Sequence, residues 1–159
     1  METFKVSPVT RVEHISKEDF VKNYYKPQKP VLITGLTKDW PAYEKWKLEY
    51  VQSKAGDQIV PLYNNEPAKD KQSVYEPVEK MKLYDYIELL KTEPTDLRIF
   101  FYNILKEMPE LLNDFEYPDL GLKFFKKLPA LFFGGGKSKV FMHYDIDLPD
   151  AMHFHFDGD

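Results

Sequence analysis

Apolar and polar positions change their spacing several times along the chain, and each change marks an element. Residues 4–15 read as extended. Ser16 follows as a helix N-cap, with Asp19 three residues on in a capping-box-like arrangement, and the helix from Lys17 to Tyr25 must stop before Pro27. Pro30-Val-Leu-Ile-Thr-Gly35 is a short β-branched run and predicts a buried strand. Asp39 is placed to cap a second helix with Pro41 in its first turn, and Leu48 to Lys54 continues helically until Gly56. Gln58 to Tyr63 predicts a strand, and the polar stretch from Asn64 to Pro77 an exposed loop. Leu83, Ile87 and Leu90 fall on one helical face. Leu97 to Tyr102 predicts an aromatic strand and residues 104–113 a helix despite Pro109. Beyond them Pro129 to Phe133 predicts a strand, Gly134-Gly-Gly136 a turn needing unusual dihedrals, and Lys139 to Asp145 and Met152 to Phe156 two more strands.

Mixed helix and strand up to residue 127, then strands with glycine turns over 128–159, predict an α+β fold. Its N-terminal mixed α/β region leads into the first strands of a double-stranded β-helix, the jelly roll of cupins, with the barrel incomplete in this chain. The 159 residues make one domain. An eight-stranded jelly roll does not close with two or three strands, so the expectation is a piece of a longer protein, or an edge covered by another subunit.

Composition narrows the chemistry. The net charge is -4 with mixed signs, which leaves no footprint for nucleic acid. No run of 18 apolar residues predicts a membrane span, and the N-terminus lacks the apolar core of a signal peptide, so a cytoplasmic protein is expected. With no cysteine, only His, Asp and Glu remain as metal ligands.

Three of the four histidines, His143, His153 and His155, stand near the C-terminus among several aspartates; His14 reads as structural or exposed. On a strand, residues two apart share a face, so His143 and Asp145 can reach one metal ion from adjacent corners. An imidazole and a carboxylate suit Fe(II), Mn(II) or Zn(II), and a second His from a distant strand would complete a facial triad. The plain alternative is a barrel histidine bonded to a nearby Asp. His153-Phe154-His155 is a second such pair. It either joins His143 and Asp145 in a His-rich site or lines the pocket beside the metal, with Met152, Phe154 and Phe156 then packed on the opposite face as core or as a seam against the N-terminal elements. The glycine run is not followed by a P-loop helix, no Gly-x-Ser-x-Gly elbow occurs, and Phe100-Phe101-Tyr102 and Phe132-Phe133 read as core.

The residues also carry a resemblance. Pro30 to Leu36, Asp39-Trp-Pro-Ala42, Lys45-Trp46, Leu48-Glu-Tyr50 and Gly56-Asp57, followed by Leu131 to Gly136, His143-Tyr-Asp145 and Phe156-Asp-Gly158, resemble the cupin-like JmjC proteins, of the kind of the asparaginyl hydroxylase of hypoxia-inducible factor. The resemblance implies Fe(II) and 2-oxoglutarate as cofactors, with His143 and Asp145 as iron ligands. It implies an oxygenase that hydroxylates a protein side chain or a small molecule; related proteins often form a homodimer, and the sequence does not fix the oligomeric state here. Tyr102, Val140, His153 and His155 fall where the family lines the cosubstrate pocket. Val140 stands where many relatives have a Thr, the family's Asn is replaced within Ala151 to His153, and the Lys after the family's glycine would fall just past Asp159. A non-catalytic cupin-like metal-binding or scaffold module is the alternative.

Overall fold

A computed structural model describes residues 7–67, 76–100, 103–124, 126, 130–140, 143 and 150–158. Its strands are β1 (Thr10–Val12), β2 (Val31–Ile33), β3 (Ile59–Leu62), β4 (Glu79–Lys82), β5 (Arg98–Ile99) and β6 (Phe133–Gly134). Its α-helices are α1 (Lys17–Phe20), α2 (Pro41–Lys45), α3 (Leu48–Ala55), α4 (Leu83–Thr92) and α5 (Ile104–Glu107). A π-helical turn, Val21–Tyr25, extends α1, and a 3-10 helix, Pro109–Asp114, follows α5.

The strands pair in twos: β1 with β2 in parallel, β3 with β4 and β5 with β6 antiparallel. An antiparallel bridge between Tyr63 and Arg98 links β3 to β5, so β4, β3, β5 and β6 follow one another across the molecule. The architecture is α+β, and among the described residues no barrel closes.

Local sequence explains much of this. Ser16 caps α1 as expected: its Oγ accepts from the Asp19 N–H at 3.1 Å and its hydroxyl donates to the Asp19 carboxylate at 3.0 Å. In α4 the apolar stripe buries Leu83 and Ile87 and adds Tyr86, whose hydroxyl donates to the Leu97 carbonyl at 2.9 Å. Pro109 begins the 3-10 helix, where its missing N–H costs nothing, so the helix expected over 104–113 divides in two.

Other expectations are corrected. The N-cap of α2 is Trp40, with extended dihedrals and no side-chain cap, so Asp39 does not cap it. Gly56 ends α3 in right-handed geometry; it is needed for space, because a Cβ there would lie 2.5 Å from the Gln52 carbonyl oxygen and 3.3 Å from the Tyr84 Cβ. β4 arises from the polar run Glu79-Lys-Met-Lys82, which becomes a strand because β3 supplies its ladder. The run from Pro30 is a strand, but it is not buried: Leu32 is exposed and its neighbours half-buried. Among the described residues, Arg98–Ile99 form the strand expected from Leu97 and Phe133–Gly134 the one before the glycines, while Phe101, Tyr102 and Pro129 of those expectations lie outside the described residues.

One core joins α2, α3, β3, α4, β5, α5 and the 3-10 helix, and β1, β2 and α1 contribute no residue to it. Trp46, Val51, Val60, Leu62, Leu83, Tyr86, Ile99 and Leu111 are all buried in it. Burial at this density makes a large-to-small change cost about 2–5 kcal/mol per Leu or Ile. Phe100 is half-buried against Phe132 at 5.9 Å, but Phe132 is exposed rather than core. No helix among the described residues is long and apolar enough to cross a membrane.

Candidate metal centre

The approach to His143 is built from the glycine turn. β6 ends in Gly134, and Gly135 donates its N–H to the Leu97 carbonyl at 3.1 Å. A Cβ on Gly135 would lie 2.3 Å from the Thr95 carbonyl oxygen, and one on Gly134 would lie 2.5 Å from the Ser138 Oγ. Gly135 is therefore required by close backbone contact, whereas at Gly134 the Ser138 hydroxyl can turn aside. None of the three has a positive φ, which corrects the expectation of unusual dihedrals.

Asn65 clasps the turn from the other side. Its Nδ2 donates to the Lys137 carbonyl at 2.8 Å, and its Oδ1 accepts from the Lys139 N–H at 2.8 Å and from an Arg98 guanidinium nitrogen at 2.9 Å. Its own N–H donates to the Asp96 carboxylate at 3.0 Å. Residues 135–139 are thus pinned to the start of β5 and to the segment after β3. Of the expected site residues, Val140 is 69 % exposed and His143 is exposed. Tyr102 and Asp145 lie outside the described residues.

The last segment is held by aromatic contacts. From Ala151 to Asp157 exposure alternates: Met152, Phe154 and Phe156 are half-buried, while His153 and His155 are exposed. The Phe154 ring lies 4.8 Å from Trp40, and the Phe156 ring 4.9 Å from Trp46. Phe115 sits 5.8 Å from each tryptophan. Lys47 Nζ donates to the Phe156 carbonyl at 3.3 Å and stands 3.9 Å from the Asp157 carboxylate. This is the seam expected for the even-numbered positions. The strands expected over 139–145 and 152–156 do not form at the described residues, which make no ladder there; the alternation survives because side-chain packing imposes it.

Beneath the seam is a polar anchor that the sequence did not reveal. Asp114, 5 % exposed, accepts from Lys45 at 2.8 Å, from the Trp46 indole N–H at 3.1 Å and from the Tyr50 hydroxyl at 3.4 Å. Burial pushes its carboxyl up, but the hydrogen bonds from Lys45 and Trp46 outweigh it and hold the group below the usual carboxylate range. Two surface depressions of about 750 and 850 Å³ lie beside the glycine turn and between α3 and α4, and His143, His153 and His155 line neither.

Among the described residues no three His, Asp or Glu side chains gather around one point. The residue types at 143 and 145, one imidazole and one carboxylate, would fit a ferrous ion by their chemistry, as two of the three donors that a facial triad needs. Residues 17–159 match the family described as Cupin-like domain, and the chain belongs to it.

Its relatives carry the JmjC name. It is 33% identical to a lysine-specific demethylase of Arabidopsis thaliana over 74% of this chain and 12% of that protein. It is 28% identical to a bifunctional arginine demethylase and lysyl-hydroxylase of Caenorhabditis briggsae over 70% of this chain and 26% of that protein. It is 25% identical to JmjC domain-containing protein E of Dictyostelium discoideum over 70% of this chain and 38% of that protein. The resemblance to cupin-like JmjC proteins therefore holds, with demethylases and a lysyl-hydroxylase as the relatives found. The chain spans well under half the length of each of these three relatives.

Proposed function

We propose that this chain carries part of the active site of an Fe(II)- and 2-oxoglutarate-dependent oxygenase that hydroxylates a protein side chain or a small molecule. The single observation behind this reading is His143-x-Asp145 inside a match to the Cupin-like domain that spans nearly the whole chain. His143 and Asp145 would hold the metal. Bound there with its cosubstrate, the metal would supply the oxidising chemistry.

The chain's own residues supply position. Asn65 and the glycine turn hold residues 135–139, which precede His143 in the chain. Tyr102, Val140 and the exposed face of His153 and His155 would border the cosubstrate. Val140 offers no hydroxyl, so the Tyr102 phenol would be the donor to its distal carboxylate. The relatives named for lysine and arginine demethylation favour a basic side chain of a protein as the substrate class.

The chain by itself is expected to be inactive, so conversion of 2-oxoglutarate to succinate by a full-length protein that contains it, with Fe(II) and lysine- or arginine-bearing peptides, tests this. Turnover in the wild type that His143→Ala abolishes is the expected result. Turnover that His143→Ala leaves intact would remove the reading, and succinate release absent with every peptide would favour the binding-module alternative.

A further inference from the structure

We infer that Arg98 is the cation that takes the distal carboxylate of the cosubstrate, beside the position where Val140 supplies no hydroxyl. The inference rests on the oxygenase reading, to which it adds a binding residue. The array of β4, β3, β5 and β6 has two unlike faces. Val60, Leu62 and Ile99 are buried on one, with Met81 and Phe133 packed against the same core. Alternation along the strands puts Tyr63, Arg98 and Phe132 on the other. The Phe100 ring lies 6.2 Å from Tyr63 and 5.9 Å from Phe132, so aromatic rings line this second face along with Arg98.

The guanidinium is under-used where it stands. Its Nη1 donates to the Asn65 Oδ1 at 2.9 Å, whereas its Nε is buried and has no partner. No ion pair among the described residues includes it. Asp96, the acid two positions earlier, accepts from the Asn65 N–H instead. A charge drawn out of water against one neutral acceptor lacks the compensation that burial demands. A carboxylate would supply it, because the planar fork offers two parallel N–H donors and apolar surroundings strengthen the pair. Position says which carboxylate. The Asn65 oxygen that accepts from Arg98 also accepts from the Lys139 N–H at 2.8 Å. One atom thus ties the guanidinium to the backbone directly before Val140, where the family resemblance puts a hydroxyl and this chain has none. Arg98 brings a stronger donor to the same neighbourhood.

Two 2-oxo acids isolate that carboxylate. 2-Oxopentanoate keeps the 2-oxo acid end of 2-oxoglutarate and carries a methyl in place of the distal carboxylate. Calorimetry would measure the binding of each to a Mn(II)-loaded full-length protein that contains this chain. The wild type should prefer 2-oxoglutarate. Arg98→Gln should lose about ten- to a hundredfold of 2-oxoglutarate affinity, the range of a hydrogen bond to a charged group, and bind 2-oxopentanoate as before. Arg98→Lys, which keeps the charge without the fork, should lose part of the preference in the same selective way, and it serves if circular dichroism shows Arg98→Gln unfolded. Equal weakening of both acids would overturn the inference, since Arg98 would then only brace the Asn65 clasp. So would a 2-oxoglutarate preference that both variants leave unchanged, the result expected if an acidic side chain of the protein itself fills the fork. Binding of neither acid by the wild type would remove the oxygenase reading, and this inference with it.

Discussion

Asp114 shows how a single residue ties distant elements together. One carboxylate accepts from α2, from Trp46 at its end and from α3, across more than 60 residues of sequence. Replacing it by Ala leaves the buried Trp46 N–H without an acceptor, and the expected loss is about 1–3 kcal/mol in urea unfolding followed by tryptophan fluorescence. Asp114→Asn, which keeps an oxygen there, should recover part of it. The charge also sets a pH dependence. The folded carboxyl titrates below its ordinary value of 3.8, so the ionised group stabilises the fold above that value, and the contribution is lost as pH falls through the lower folded one. The stability advantage of the wild type over Asp114→Asn should therefore persist at pH 5 and shrink only below about 3.8. The glycines differ in the same residue-by-residue way. Gly135→Ala would press a methyl into the Thr95 carbonyl, whereas nothing lies within 4 Å of a Cβ on Gly136. The expected costs are about 1–3 kcal/mol for Gly135→Ala and close to none for Gly136→Ala, read from thermal unfolding. None of this was legible beforehand: an aspartate's acceptors and a glycine's clearance depend on which distant backbone arrives beside them.

At the scale of elements, legibility follows how much of each element is decided locally. The Ser16 cap and the stripe of α4 were readable because capping and burial periodicity act within a few residues. Ser16→Ala should cost about 1 kcal/mol by the same unfolding measurement. β4 was not readable, because a polar run becomes a strand only once β3 offers its edge. The segment from Met152 to Phe156 lies between these cases. Its alternation was legible and its two faces are where that alternation puts them, but no ladder forms there. Aromatic contact replaces strand pairing as the cause. A double-mutant cycle on Trp40→Ala and Phe154→Ala should therefore show a coupling of about 0.5–1.5 kcal/mol, and additive losses would mean that the rings only sit near one another.

Two clamps, Asn65 with the glycine turn and the tryptophan seam, hold residues 135–139 and 154–156 against the helix-rich lobe. The glycine turn, Trp40, Trp46 and Phe156 also carried the family resemblance, which is why the fold class was legible from separated motifs, whereas Asn65 and Phe154 did not. The candidate site was legible only as a pattern. His143 and the exposed pair at 153 and 155 have their places, whereas the roles of Asp145 and Tyr102 rest on that pattern alone. The central claim is that His143 and Asp145 bind one metal ion together. Mn(II), an oxygen- and imidazole-compatible stand-in for Fe(II), can be counted directly by paramagnetic resonance in the presence of 2-oxoglutarate. One bound Mn(II) per chain, lost in the His143→Ala/Asp145→Ala double variant, is the result this account predicts. Equal binding by the wild type and the folded double variant would contradict it.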